Sequence, residues 1–292
     1  MPELRPIEKV GFIGLGIMGN SMAGHVQAAG HELHVFNRTK SKADNLVAKG
    51  AIWHDHPGEI AAVCDVVFSI VGFPHDVEDL YLGDGALVAK ARPGTVLVDM
   101  TTSSPSLAVR LAEAGAAKGV TVLDGPVSGG DVGARNGKLS IMLGGDDAAI
   151  AHIDPLLRRM GENIVRQGAA GAGQHTKMAN QIAVASNMMA VCEALGYAKA
   201  AGLDPKTVLK SIGAGAAASA VMNNLGPRML DGDFAPGFYV RHFIKDMGIA
   251  IAEAERMKLA LPGLIQAKAL YDRLAATGHD SDGTQALFLL YD

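Results

Sequence analysis

The sequence predicts an α/β protein in two parts: a doubly wound parallel sheet over residues 1–168, then an all-α domain over 169–292. Three observations carry this. In the first half, short apolar runs alternate with helix-like stretches. A glycine-rich turn joins the first of those runs to the first helix. Beyond about residue 166 no convincing strand run follows.

Val10–Ile13, Leu33–Phe36, Val66–Val71, Thr95–Val98, Val120–Leu123 and Leu139–Leu143 read as strands. They are continuously apolar rather than alternating, the pattern of a sheet covered on both faces. Met18–Ala29, Lys40–Lys49, Pro105–Lys118 and Asp147–Met160 read as helices between them. Gly173–Ala201 is rich in Ala, Met and Val, lacks proline and is apolar on nearly every face, so a buried helix is expected. Asp204-Pro205 offers an N-cap and a first-turn proline to the next helix. Arg241–Lys258 and Pro262–Ala276 read as amphipathic helices. The glycine-rich join Gly168–Gly173 marks the boundary between the parts.

Composition narrows the function classes. Of 292 residues 36 are glycine, well above the roughly 7% of ordinary proteins. No collagen-like repeat accounts for them, and a 49% hydrophobic chain with net charge −4 is not disordered. The small negative charge provides no basic field for nucleic acid or an anionic membrane. No apolar run reaches the length of a membrane span, and the N-terminus lacks a secretory pattern. Cys64 and Cys192 lie in apolar runs and read as buried reduced thiols, which fits a cytoplasmic protein. His54-x-His56 lacks the companions that a metal site needs, so no metal is expected.

Gly14-x-Gly16-x-x-Gly19 follows a strand and opens a helix, the context in which such a loop binds a dinucleotide in a Rossmann domain. Gly14 allows the tight turn, Gly16 lets backbone approach a pyrophosphate, and Gly19 permits close packing of helix on strand. Gly14, Leu15, Gly16, Ile17, Met18 and Gly19 are therefore cofactor candidates. An NAD site usually carries an acidic residue about 20 residues onward. This chain has Asn37-Arg38-Thr39, which suits a 2′-phosphate and favours NADP over NAD, unless Arg38 is only a solvated loop charge.

Ser128-Gly129-Gly130 follows a strand and can present amides and a hydroxyl to a small carboxylate. Neither a nucleophile elbow nor a P-loop is present. Lys177, Asn180 and Gln181 fall at i, i+3 and i+4, on one helical face. A lysine at the start of an apolar helix is either a snorkelling end residue or a buried functional cation.

GFIGLGIMG at 11–19, DMTTSSP at 99–105, DGPVSGG at 124–130, GAGQHTKMANQ at 171–181 and PGFYVRHFIKD at 236–246 together resemble the 3-hydroxyisobutyrate dehydrogenase family of β-hydroxyacid dehydrogenases. The resemblance implies a catalytic role for Lys177 and a carboxylate-holding role for Ser128, Gly129 and Gly130. It implies cofactor contacts at Thr102 and Lys245. Asn180, Gln181, Phe238 and Asp246 become substrate-pocket residues by the same resemblance. Gln181 replaces an asparagine of many members and is closer to the tartronate-semialdehyde-reductase branch. The implied activity is hydride transfer between NADP(H), or NAD(H), and a small carboxylate-bearing β-hydroxy acid or semialdehyde. Glyoxylate or succinic semialdehyde reduction and a non-catalytic NADP-binding sensor are the alternatives. A homodimer or homotetramer is implied. Imine reductases share the architecture but generally lack the lysine, and 6-phosphogluconate dehydrogenases have a longer second domain.

Overall fold

The computed structural model describes residues 3–291. The chain divides into two compact units, one ending at Lys177 and the other beginning at Met178.

The first unit is built on β1 (Lys9–Ile13), β2 (Glu32–Phe36), β3 (Ile52–Trp53), β4 (Val66–Ser69) and β5 (Val96–Asp99). The sheet continues through β6 (Thr121–Asp124), β7 (Val127–Ser128), β8 (Leu139–Gly144) and β9 (Gly161–Gly168). The spatial order β3-β2-β1-β4-β5-β6 is wholly parallel and reverses direction between β1 and β4. That reversal opens a crevice at the carboxyl ends of β1 and β4, where ligands of such sheets bind. Beyond β6 the sheet is mixed: β8 runs antiparallel to β6 and β7, and parallel to β9.

Helices α1 (Gly19–Ala28), α2 (Asp44–Val47), α3 (Pro57–Val63), α4 (Pro74–Leu82), α5 (Leu87–Lys90), α6 (Pro105–Ala116), α7 (Gly130–Arg135) and α8 (Asp147–Met160) connect the strands. Local chemistry sets their starts. Proline stands in the first turn of α3, α4 and α6, and Ser104 accepts from Leu107 N at 3.1 Å. Asp146 caps α8 through Ala149 N at 2.9 Å. Two apolar clusters cover the two sheet faces. Val10, Phe12, Val66, Phe68, Val96 and Val98 face one, while Ile13, Val67 and Leu97 face the other. Strands buried on both sides can be apolar at every position, which is why they stand out in the sequence.

The second unit continues α9 (Ala172–Ala200) and adds α10 (Pro205–Ile212), α11 (Ala220–Leu230), α12 (Val240–Arg256) and α13 (Pro262–Leu274). Asp204 caps α10 through Lys206 N and Thr207 N, as the Asp-Pro pair predicts. Met188, Cys192, Leu195, Phe243, Met247, Tyr271 and Phe288 form its core. Among the described residues no helix is long and apolar enough to cross a membrane. Both cysteines are buried free thiols, and burial pushes the Cys192 thiol up to about 12.

Several sequence expectations need correction. β9 was not expected, because Glu162, Arg166 and Gln167 lie exposed on an edge strand and break any apolar run. Two-residue strands β3 and β7 are too short to leave a pattern. The helix expected over Lys40–Lys49 is a 3₁₀ turn at Lys40–Ala43 followed by the single turn of α2. Helix α9 is not buried all round. Gln181, Ala185, Met188, Cys192 and Leu195 form a buried stripe, whereas Ala179, Ala183, Ala190 and Tyr197 are exposed.

Phe68 sits fully buried in the centre of the sheet. Phe68→Ala should lower unfolding stability by about 3–5 kcal/mol, whereas Val165→Ala on the exposed edge should change it by less than about 1 kcal/mol. Urea unfolding of the two variants checks this. Equal midpoints would show that the sheet centre is not where stability resides.

Candidate active site

The glycine loop leaves the end of β1 at the switch between β1 and β4. Gly14 has φ +89°, and a Cβ there would collide with the Ile70 carbonyl oxygen at the end of β4. At Gly19 a Cβ would strike the Gly14 carbonyl oxygen. Gly16 differs, since a Cβ there would meet nothing within 4 Å. The fold itself does not need glycine at that position, but a phosphate group approaching the backbone does. Met18, at the N-cap of α1, makes no side-chain cap, and the first turn carries no acidic residue. A polar helix start without a carboxylate suits an anion. The loop therefore fits the pyrophosphate of a dinucleotide.

Asn37 at the end of β2 ties this loop down. Its Oδ1 accepts from Leu15 N at 2.9 Å and its Nδ2 donates to Thr39 O at 2.8 Å. The side chain is thus a brace between β2 and the glycine loop. Arg38 is 80% exposed and donates Nη1 to Asp76 Oδ1 at 3.1 Å. The other oxygen of Asp76 accepts from Phe73 N at 3.0 Å, which holds the carboxylate at the start of α4. An arginine has five N–H donors, so this single bond leaves most of the guanidinium for a phosphate.

On the far side of the sheet centre, the segment after β6 folds back through β7 and into α7. Gly129 and Gly130 have φ of +128° and +63°, a region costly for residues with a Cβ. Lys177, on the first turns of α9, is buried rather than snorkelling. Its Nζ donates to Val127 O at 2.8 Å, directly beside Ser128. The structure thus brings Lys177 together with the loop that carries Ser128, Gly129 and Gly130.

Thr102 lies in the segment after β5, which is clamped from both flanks. Gln174 accepts from Ser103 N at 2.9 Å and donates to Thr101 O at 2.7 Å. Thr101 Oγ1 in turn accepts from Val71 N at 2.9 Å. Beneath this segment Asp99 is fully enclosed, accepting from Thr101 N at 3.0 Å and from Ser69 Oγ at 3.4 Å. Ser69 also meets Tyr81 Oη at 2.9 Å. Burial pushes the Asp99 carboxyl up to about 7, against the opposing pull of its bonds to Thr101. Gln174, Asp99 and Asp76 are all absent from the sequence-based set. Gln174 stands three residues before Lys177 and Asp99 opens the motif DMTTSSP, whereas Asp76 lies in no motif.

In the second unit four of the expected residues form one row. Asn180 Nδ2 donates to Gln181 Oε1 at 2.7 Å, and Gln181 Nε2 donates to Asp246 Oδ2 at 2.5 Å. Lys245 Nζ lies 2.9 Å from Asp246 Oδ1. The buried Asp246 carboxylate is thereby paired with a cation and an amide, which a buried charge requires. Phe238 packs on Phe243 with ring centroids 5.7 Å apart. His54 lies outside this row. Its Nε2 lies 2.8 Å from His34 Nδ1 at the β2–β3 edge.

Comparison with known proteins shows the family of the chain. Residues 9–168 match the family described as the NAD binding domain of 6-phosphogluconate dehydrogenase. Residues 171–291 match the family described as NAD-binding of NADP-dependent 3-hydroxyisobutyrate dehydrogenase. The chain is 51% identical over 283 residues to a probable mitochondrial 3-hydroxyisobutyrate dehydrogenase-like 1 of Arabidopsis thaliana, covering 96% of this chain and 84% of the relative. It is 39% identical over 270 residues to 2-hydroxy-3-oxopropionate reductase of Escherichia coli (strain K12), covering 92% of each. The crystal structure of a 3-hydroxyisobutyrate dehydrogenase from Salmonella typhimurium superposes with a TM-score of 0.89 at 27% identity, covering 97% of this chain and 99% of the other.

The Asp99 shift gives a pH signature. An unfolded chain loses this proton near 3.8, while the folded protein keeps it to about 7. The contribution is therefore complete below the unfolded value and is lost as pH rises through about 7. Relative to Asp99→Asn, wild-type stability should fall by up to about 1.4 kcal/mol per pH unit across that window, then level off. Urea unfolding of both proteins at about pH 4.5, 6 and 8 tests this. A difference independent of pH would place the titration elsewhere.

Proposed function

Because the chain belongs to the 3-hydroxyisobutyrate dehydrogenase family, we propose that it interconverts a small β-hydroxy acid and its semialdehyde, using NADP(H) in preference to NAD(H). As a member of that family it is an NAD(P)-dependent oxidoreductase of hydroxy acids. The observation that carries the finer reading is Lys177, buried with its Nζ 2.8 Å from the backbone of the loop that holds Ser128–Gly130.

The nicotinamide cofactor, when bound, supplies or accepts the hydride. Lys177 gives a proton to the carbonyl oxygen during reduction and removes the hydroxyl proton during oxidation. Ser128, Gly129 and Gly130 hold the substrate carboxylate, so that the reacting carbon is presented to the lysine. Gly14, Gly16 and Gly19 seat the pyrophosphate, and Arg38 takes the 2′-phosphate. The family resemblance assigns Lys245 to cofactor contact and Asn180, Gln181, Phe238 and Asp246 to substrate contact. Reduction consumes a proton, so it should run better as pH falls and oxidation better as pH rises. Gln181, with the similarity to 2-hydroxy-3-oxopropionate reductase, supports a hydroxylated semialdehyde as the substrate.

NADPH and NADH oxidation should be measured with succinic, methylmalonic and tartronic semialdehydes and with glyoxylate. At least one is expected to be reduced, with NADPH preferred. Lys177→Ala should lower kcat by about 10²–10⁴-fold with cofactor affinity nearly unchanged. Unchanged kcat would remove Lys177 from the chemistry. Arg38→Ala should weaken NADPH relative to NADH by at least about tenfold, a loss of about 1.4 kcal/mol. An unaltered ratio would show that the 2′-phosphate is recognised elsewhere.

A further inference from the structure

Asp124 closes β6, and its carboxylate reaches the start of α9. One oxygen accepts from Gly171 N at 2.8 Å and the other from Gln174 N at 2.9 Å. Three residues after Asp124, the carbonyl of Val127 accepts from Lys177 Nζ. Segment 124–127 and segment 171–177 are therefore joined twice, by the Asp124 carboxylate at one end and the Lys177 ammonium at the other.

The geometry around this carboxylate is closely set. A Cβ at Gly144 would fall 2.5 Å from Asp124 Oδ1, and one at Gly173 would fall 2.8 Å from Oδ2. Neither glycine has a positive φ, so neither is there for backbone freedom. Gly144 leaves room for the carboxylate, and Gly173 leaves room for it and for the Met142 carbonyl oxygen. Burial pushes the Asp124 carboxyl up, and the amides of Gly171 and Gln174 draw it back down. Gln174, one of its two partners, also clamps the segment that carries Thr102. A helix turn is stiff, so whatever moves residues 171–174 moves Lys177 with them.

We propose that Asp124 is a positioning residue for the reaction, setting the first turn of α9 so that Lys177 Nζ meets the loop Val127–Gly130. This rests on the reading of Lys177 as the proton-transfer group. An ordinary helix cap would add stability alone. Asp124 instead starts the same loop that its helix must meet, so its bonds set a distance between two parts of one site. Misplacing a reacting group by about 1 Å can cost about 100-fold in rate.

Asp124→Asn keeps the shape but turns an amide N–H toward one of two backbone N–H groups. The expected result is a kcat at least tenfold lower per folded molecule, with KM for NADPH within about twofold. The primary isotope effect on kcat with 4-deuterated NADPH should rise, as hydride transfer becomes slower relative to product release. Amide hydrogen exchange over residues 171–177 should quicken at least tenfold, with the glycine loop at 14–19 unchanged. Gly144→Ala, whose Cβ crowds both the carboxylate and the Gly173 amide that it faces, should show the same pattern and carries the test if Asp124→Asn does not fold. A lower melting temperature with unchanged kcat, isotope effect and exchange would overturn the proposal. If wild type reduces no carbonyl in the panel, the functional reading fails. The exchange comparison then still decides whether Asp124 sets this turn.

Discussion

A buried ammonium must have an acceptor, and much of the first unit is arranged around that requirement. Lys177 cannot reach solvent freely, so the carbonyl of Val127 takes its hydrogen bond. For that carbonyl to be in place, the chain after β6 has to turn back on itself. The short antiparallel pairing of β7 with β8 secures the turn, and Gly129 and Gly130 complete it with backbone angles that other residues resist. The departure from a purely parallel sheet is thus tied to the lysine. Strands β1 to β6 form a general dinucleotide scaffold, and the antiparallel extension holds the acceptor of Lys177 at its edge.

Much of the fold was legible because the sheet is covered on both faces. Val66, Val67 and Phe68 are consecutive, all buried, and point alternately into two different clusters. Such runs are visible without knowing the topology. Strand β9 was not visible, since one edge is exposed and its sequence GENIVRQG is mostly polar. Helix α9 misled in another way. Alanine favours helix wherever it lies, so Ala179, Ala183 and Ala190 signalled a helix correctly and said nothing about which face was buried.

The candidate site was legible where a residue's role is declared by its neighbours in the chain. Gly14, Gly16, Gly19, Ser128 and Lys177 each sit in a compact motif. Asp76 stands in no motif, and Asp99 and Asp124, though they open DMTTSSP and DGPVSGG, do not declare what they hold, because their partners include backbone amides or side chains distant in sequence. Asp124 and Gly171 are 47 positions apart, and Arg38 and Asp76 are 38. A carboxylate that accepts from remote groups has no local signature. What these acids hold became visible only when the chain was folded.

The three glycines of the nucleotide loop divide into two kinds. Gly14 and Gly19 are held by collisions with the protein's own backbone, whereas Gly16 faces open space. A library of variants sorted only for folded, protease-resistant protein would therefore reject side chains at 14 and 19 and admit alanine at 16. Sorted for nucleotide retention, the same library would lose all three. With the pyrophosphate seated as proposed, the middle glycine is a record of the ligand kept in a position where the fold has no stake.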